Sequence, residues 1–168
     1  TGFVEETGRG KGAGFSVNVP LSPNTDDATY LWAFEALVPP LLQRFAPDIL
    51  VTQLGVDTHY QDPLTTMALT TKGHAALFRA LSSLATMPWL ACGGGGYNLD
   101  VAPRSWALAF AAMSGQTLPD ALPQPYRDVY RGEWLHDRRS PHIDAETEAR
   151  ARKQAEEVVA AVRSTMGL

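Results

Sequence analysis

Four consecutive glycines, Gly93 to Gly96, stand between a short apolar run, Trp89-Leu90-Ala91-Cys92, and a helical pattern that begins near Asn98. Glycine costs roughly 0.5–1 kcal/mol of backbone entropy per residue in regular structure, and a tight strand-to-helix turn needs only one or two. The excess points to backbone passing close to a ligand; the plainer alternative is a tight turn with Tyr97 at the surface. In a parallel sheet such a turn would lie at the carboxyl end of its strand, where ligands gather.

Periodicity elsewhere agrees with alternating strands and helices. Phe15-Ser16-Val17-Asn18-Val19 alternates apolar and polar residues, as a strand with one buried face does. Tyr30, Phe34, Leu37, Val38, Leu41, Leu42 and Phe45 then fall on one helical stripe, which Pro39 and Pro40 are expected to kink or break. Asp48 to Leu54 reads as a buried parallel strand, followed by a long loop, Gly55 to Leu69. Thr70 or Thr71 caps a helix whose Leu77, Ala80, Leu81 and Leu84 face inward. The helix from Asn98 to about Met113 is apolar nearly all round and is expected to be well buried, with Pro103 tolerated in its first turn. Residues 115–143, with prolines and scattered aromatics, read as an irregular surface tail. Asp144 caps a last helix with Ala151, Ala155, Val158, Val159, Val162 and Met166 on one stripe. The alternation predicts a parallel sheet with helices on both faces.

Composition removes several classes of function. Hydrophobic residues make up 45% of the 168 and charged residues 19%, too apolar for a disordered chain. A net charge of −4 argues against non-specific binding to nucleic acid or to an anionic membrane. No apolar stretch has the ~20 residues of a membrane span, and the start, TGFVEETGRGKG, has no signal-peptide core. Cys92, alone, excludes an internal disulfide framework and a cysteine-based zinc site. The expected setting is the cytoplasm.

Three groups of residues remain as candidates for chemistry. Gly8-Arg9-Gly10-Lys11-Gly12-Ala13 matches a dinucleotide fingerprint in form but precedes a strand rather than following one, so nucleotide binding is not expected. Gly93 to Asn98 would bring a phenol, Tyr97, to the mouth of a helix, where it could donate to a developing oxyanion. Asp57-Thr58-His59-Tyr60-Gln61-Asp62-Pro63 offers two carboxylates and an imidazole, ligand types that suit a divalent metal, although caps and an Asp-Pro turn explain the same residues. His74, His136 and His142 read as surface or capping residues, and Arg104 as a partner for a carboxylate or a backbone carbonyl. Trp32, Trp89 and Trp106 fit core positions.

The ordered segments GKGAGFSVNVPL, FAPDILVTQLGVDTHYQDPL, LTTKGH, GGGGYN and RSWAL resemble the carboxyl-terminal half of the zinc-dependent histone deacetylase family. DTHYQDPLT and VAPRSWAL are most similar to its bacterial AcuC-type acetoin-utilisation members. The likeness covers about residues 8–114, with 115–143 the irregular tail and 144–166 the terminal helix of what would be the carboxyl-terminal part of one deacetylase domain. It implies a three-layer sandwich of the arginase/deacetylase kind around a mostly parallel sheet, of which this chain holds only a part.

The resemblance also implies roles. Asp62, before the Pro of the D-P-L segment, corresponds to one of three zinc ligands, and Tyr97 to the catalytic tyrosine. Leu69 corresponds to a tunnel-lining residue, and Gly95 and Gly96 to the tunnel floor beside the acyl group. Asp57 and His59 are assigned structural roles. In the family, zinc polarises the acetamide carbonyl and activates water, and a histidine accepts the water's proton. The paired histidines and the D-x-H metal segment of that chemistry have no counterpart here, so the Zn2+ site would be completed by ligands outside this chain. The implied substrate is acetyl-lysine on a protein, or a small acetylated amine. A chain so divided is expected to be inactive alone and to associate with the missing amino-terminal half or with itself. The alternative is a folded interaction module that keeps the shape without the chemistry.

Overall fold

The structure, a computed structural model, describes residues 2–130 and 132–168. Thr1, the non-methionine start of the chain, lies outside them. The chain divides into two units, residues 1–46 with 143–168, and residues 47–142.

The first unit is built on two helices, α1 (Asp27–Phe45) and α5 (Ala145–Met166). Both have carboxylate caps: Asp26 accepts from the Thr29 N–H and Asp144 from the Thr147 N–H, each at 2.9 Å, which satisfies one of the open donors at each helix start. Asp144 caps as expected, and Ala151, Ala155, Val158, Val159 and Val162 are buried on the stripe read from the sequence. Ala33 and Leu37 of α1 complete that core. The α1 stripe itself is narrower than predicted, since Phe45 is 63% exposed.

Pro39 and Pro40 do not break α1. Each proline removes a donor and frees the carbonyl four residues earlier. The carbonyl freed by Pro40 belongs to Ala36, and it accepts from Arg163 Nη1 of α5 at 3.0 Å. The lost intrahelical bond is thus replaced by one between the two packed helices. Phe15 to Val19 forms no strand: Phe15 lies at a bend and residues 16–19 are irregular. The alternation does not mark one covered face: Val17 packs on the helical core, whereas Phe15 and Val19, the other apolar positions, are 70% and 36% exposed. Gly10–Gly12 forms a single 3-10 turn rather than opening a helix.

The second unit contains β1 (Leu50–Leu54), α2 (Thr71–Leu84), β2 (Trp89–Gly93), α3 (Val101–Ser114) and the short α4 (Gln124–Val129). β1 and β2 pair in parallel, from Leu50 opposite Trp89 to Leu54 opposite Gly93. The architecture is α/β with a parallel sheet, but that sheet has two strands among the described residues. Thr70 caps α2, its hydroxyl accepting from the Lys72 and Gly73 N–H groups. The buried face of α2 is Thr71, His74, Ala75, Phe78 and Leu81, rotated from the expected Leu77–Leu84 face because Phe78, the largest apolar side chain of the helix, takes the interior.

Two apolar surfaces in this unit are uncovered. Val51 and Leu90, opposite each other in the sheet, are 62% and 57% exposed. On α3, Trp106, Phe110 and Met113 lie at helical spacing and are also exposed, so the helix expected to be buried all round is buried on one face only. Trp106 and Trp89 lie at the margins of the packing rather than within it, with their indole N–H groups bonded to the Leu54 carbonyl and to Thr52 Oγ1, both at 2.9 Å. Trp32 is a partly buried neighbour of the first unit's core, with the Arg152 guanidinium 3.9 Å from its ring centroid. Among the described residues no helix is long and apolar enough to cross a membrane.

Candidate active site

The candidate residues sit on two loops that follow the carboxyl ends of β1 and β2. The β strands deliver them side by side: the Val56 N–H donates to the Gly95 carbonyl at 2.7 Å, continuing the parallel pairing one step beyond the sheet. The next contact joins the two functional candidates. Asp62 Oδ2 accepts from the Tyr97 backbone N–H at 2.8 Å, and Oδ1 accepts from the Leu64 N–H at 2.9 Å. Asp62 is 8% exposed, whereas Tyr97 is 53% exposed. A buried carboxylate held by one backbone donor on each oxygen keeps lone pairs for a further partner, and its aim is set by backbone rather than by mobile side chains.

The glycine run has an internal cause. A Cβ on Gly94 would fall 2.3 Å from the Gln53 amide, on Gly95 2.1 Å from Asp57 Oδ2, and on Gly96 2.6 Å from Val56 Cγ2. Gly96 also has φ +143°, a conformation that side-chain-bearing residues rarely adopt. Only at Gly93 is there ordinary room, 3.6 Å from the Trp106 ring. The close approach anticipated from four glycines is therefore made to the protein's own 53–57 segment. Asp57 packs its carboxylate on Gly95, and its carbonyl accepts from the Thr65 hydroxyl.

His59 is 1% exposed, with both ring nitrogens engaged. Nδ1 accepts from the Gln61 N–H at 3.1 Å, which leaves Nε2–H to donate to Asp137 Oδ2 at 2.7 Å. Leu69, also 1% exposed, is tied to the same loop: its N–H donates to the Thr58 carbonyl and its carbonyl accepts from Tyr60.

His74 is not a surface residue. It is 1% exposed, between Thr58 Oγ1 at 2.9 Å and Ser105 Oγ at 3.0 Å. Burial, and after it the neighbouring His59, push its imidazole down to about 4, against an upward pull from Asp137. The apolar context of α2, with His74 four residues before Phe78, was the signal available for this placement. His136 pairs with Asp120 at 2.8 Å, and His142 is exposed.

Arg104, 5% exposed, realises both partners expected of it: the carboxylates of Asp137 and Asp100, at 3.0 and 3.1 Å, and the carbonyls of Asp100, Trp134 and Leu135. Asp137 was missed. The segment read as a surface tail turns inward after pairing Ala121 with Trp134, and buries Leu135 and Asp137. Burial opposes ionisation of Asp137, but hydrogen bonds from His59 and the Thr71 amide, with the Arg104 guanidinium, outweigh it and hold the carboxyl well below the usual carboxylate range. An open cleft of about 420 Å³ borders this network, with Tyr60, Gln61, Trp134 and Arg139 in its wall.

A catalytic zinc site takes three protein ligands and an open position. Among the described residues no group of three His, Cys, Asp or Glu is placed to hold a metal. The geometry of Asp62 fits the share of one ligand, not a whole site.

Residues 1–113 match the histone deacetylase domain family. The chain is 38% identical over 120 residues to the acetoin utilization protein AcuC of Bacillus subtilis (strain 168), covering 68% of this chain and 31% of that protein. It is 39% identical over 130 residues to the AcuC of Staphylococcus xylosus, covering 74% and 34% respectively. A probable deacetylase of Archaeoglobus fulgidus is 35% identical over 133 residues, covering 74% of this chain and 36% of that protein. The chain spans about a third of the length of the curated relatives it matches.

Proposed function

The chain belongs to the histone deacetylase family, and from that premise we propose that it supplies one zinc ligand and the oxyanion donor of a site that hydrolyses the acetyl amide of acetyl-lysine. The observation that carries the reading is the Tyr97 N–H bond to Asp62, which ties the backbone of an exposed tyrosine to a buried carboxylate. Two residue types with those roles, brought together from loops 35 residues apart, are what an amide-hydrolysing site requires of this part of the protein.

In this reading Asp62 is one ligand to the metal, which supplies Lewis acidity and a low-pKa water when bound. The remaining ligands and the base that takes the water's proton come from residues outside this chain, so the chain alone is inactive. Tyr97 donates its phenol O–H to the oxygen of the former carbonyl as charge develops there. Leu69, Gly95 and Gly96 shape the approach to that oxygen, with Asp57 and His59 holding their loops. Small acetylated amines are a second substrate class.

The uncovered faces fit the same reading. Parallel sheets are ordinarily covered on both sides, and the Val51–Leu90 face and the Trp106–Phe110–Met113 stripe are where the remaining strands and helices of a three-layer sandwich would pack. The reading is tested by incubating the intact protein with an acetyl-lysine peptide. Hydrolysis that a chelator abolishes and zinc restores is expected; no hydrolysis, or hydrolysis indifferent to the chelator, would overturn it.

A further inference from the structure

Asp137 makes four hydrogen bonds to three different parts of the second unit. Its Oδ2 accepts from His59 Nε2 at 2.7 Å and from the Thr71 N–H at 2.8 Å, and its Oδ1 accepts from Arg104 Nη1 at 3.0 Å. Its own N–H donates to Thr71 Oγ1 at 2.7 Å. Thr71 begins α2 and Arg104 lies in α3, so two helices fix the carboxylate, which in turn grips a loop. The gripped residue, His59, is three positions before Asp62, and its ring and backbone both shape the turn between them. Nδ1 accepts from the Gln61 N–H at 3.1 Å, and the His59 carbonyl accepts from the Asp62 N–H at 2.9 Å.

We infer that Asp137 is a positioning residue for the proposed site, acting through His59 to hold the turn that aims Asp62. The mechanism is one of tautomer and geometry. A carboxylate acceptor facing Nε2 keeps the proton there and leaves Nδ1 free to accept from Gln61. Ring orientation, and with it the His59–Asp62 turn, is then locked to the helices rather than left to the loop. Removing the carboxylate frees the ring to flip or change tautomer, the Gln61 bond is lost, and Asp62 loosens from its two backbone donors. This role rests on the reading of Asp62 as a metal ligand, although the geometric link does not.

The test is amide hydrogen exchange in the intact protein, read at Leu64 and Tyr97, the donors to Asp62, with Phe78 and Leu81 of α2 as reference. In Asp137→Asn, exchange at Leu64 and Tyr97 should accelerate by about 10- to 100-fold, the loss of a charge-assisted bond, while Phe78 and Leu81 keep their protection. His59→Asn guards against a variant that fails to fold: its side-chain oxygen can still accept from Gln61, but the link to Asp137 is cut. The same selective acceleration is expected. Unchanged exchange at Leu64 and Tyr97, or equal acceleration at all four amides, would overturn the positioning role and leave a purely structural one. Zinc competition on Asp62→Asn separates the two claims, because equal zinc affinity there would remove the ligand assignment while leaving the exchange result standing.

Discussion

The backbone N–H of Tyr97 donates to Oδ2 of Asp62 at 2.8 Å, joining the loop after β1 to the loop after β2. Because the bond uses the Tyr97 backbone, the side chain can be altered without removing the donor to Asp62. Under the proposed function, Tyr97→Phe should lower turnover of the intact protein by about 10²–10³, or roughly 3–4 kcal/mol of transition-state stabilisation, with metal content unchanged. Steady-state kinetics beside elemental analysis checks it. Loss of metal together with activity would mean that the ring, not only the amide, supports Asp62.

The glycines differ in what they can tolerate. Gly96→Ala meets Val56 Cγ2 at 2.6 Å with φ at +143°, and should destabilise by about 2 kcal/mol or more. Gly93→Ala meets only the Trp106 ring at 3.6 Å, and should cost less than about 1 kcal/mol. Urea unfolding of the two variants decides, and equal costs would contradict the packing explanation of the run.

Arg163 and Pro40 should be energetically coupled. With Pro40 in place, the Ala36 carbonyl accepts from Arg163, so Arg163→Met should cost about 0.5–1.5 kcal/mol. In a Pro40→Ala background the helix supplies its own donor to Ala36, and the cost of removing Arg163 should shrink. A double-mutant cycle measures this; a cost independent of residue 40 would show that the Arg163 bond does no such replacement.

Acid should act on His74 before it acts on Asp137. The folded protein holds His74 neutral down to about 4, against an ordinary value of 6.5, so between those values the unfolded chain binds the extra proton. Stability from this group is full above pH 6.5 and falls as the pH drops towards 4, by up to about 3 kcal/mol. Asp137, whose carboxyl is held low, contributes stability above its ordinary 3.8 that is lost only below that pH. Urea midpoints at pH 7 and pH 4.5 should converge in His74→Gln relative to the parent; an identical pH slope in both would refute the assignment.

What could be read from the sequence was local. Thr70 and Asp144 announce helix starts because a cap acts within three residues, and the α5 stripe is set by its own periodicity. Asp62 and Tyr97 stood out through motif context, although nothing in the spacing of either loop predicts the bond between them. Asp137 was invisible because its partners His59, Thr71 and Arg104 lie 78, 66 and 33 residues away, and no local pattern encodes a contact of that range. Phe15 to Val19 shows the converse: apolar and polar residues alternate there without a partner strand and without one covered face, since Val17 packs on the core while Phe15 and Val19 are exposed. The partner of the Ala36 carbonyl, which Pro40 frees within α1, likewise comes from the far end of the chain.

The most direct test of the central claim is zinc affinity, measured by chelator competition on the intact protein and on Asp62→Asn. One tightly held zinc is expected in the parent and an affinity lower by at least about a hundredfold in the variant, since a direct ligand should matter more than the outer-sphere partners whose loss costs 10- to 100-fold. Equal affinity in the two proteins, or no zinc in the parent, would contradict it.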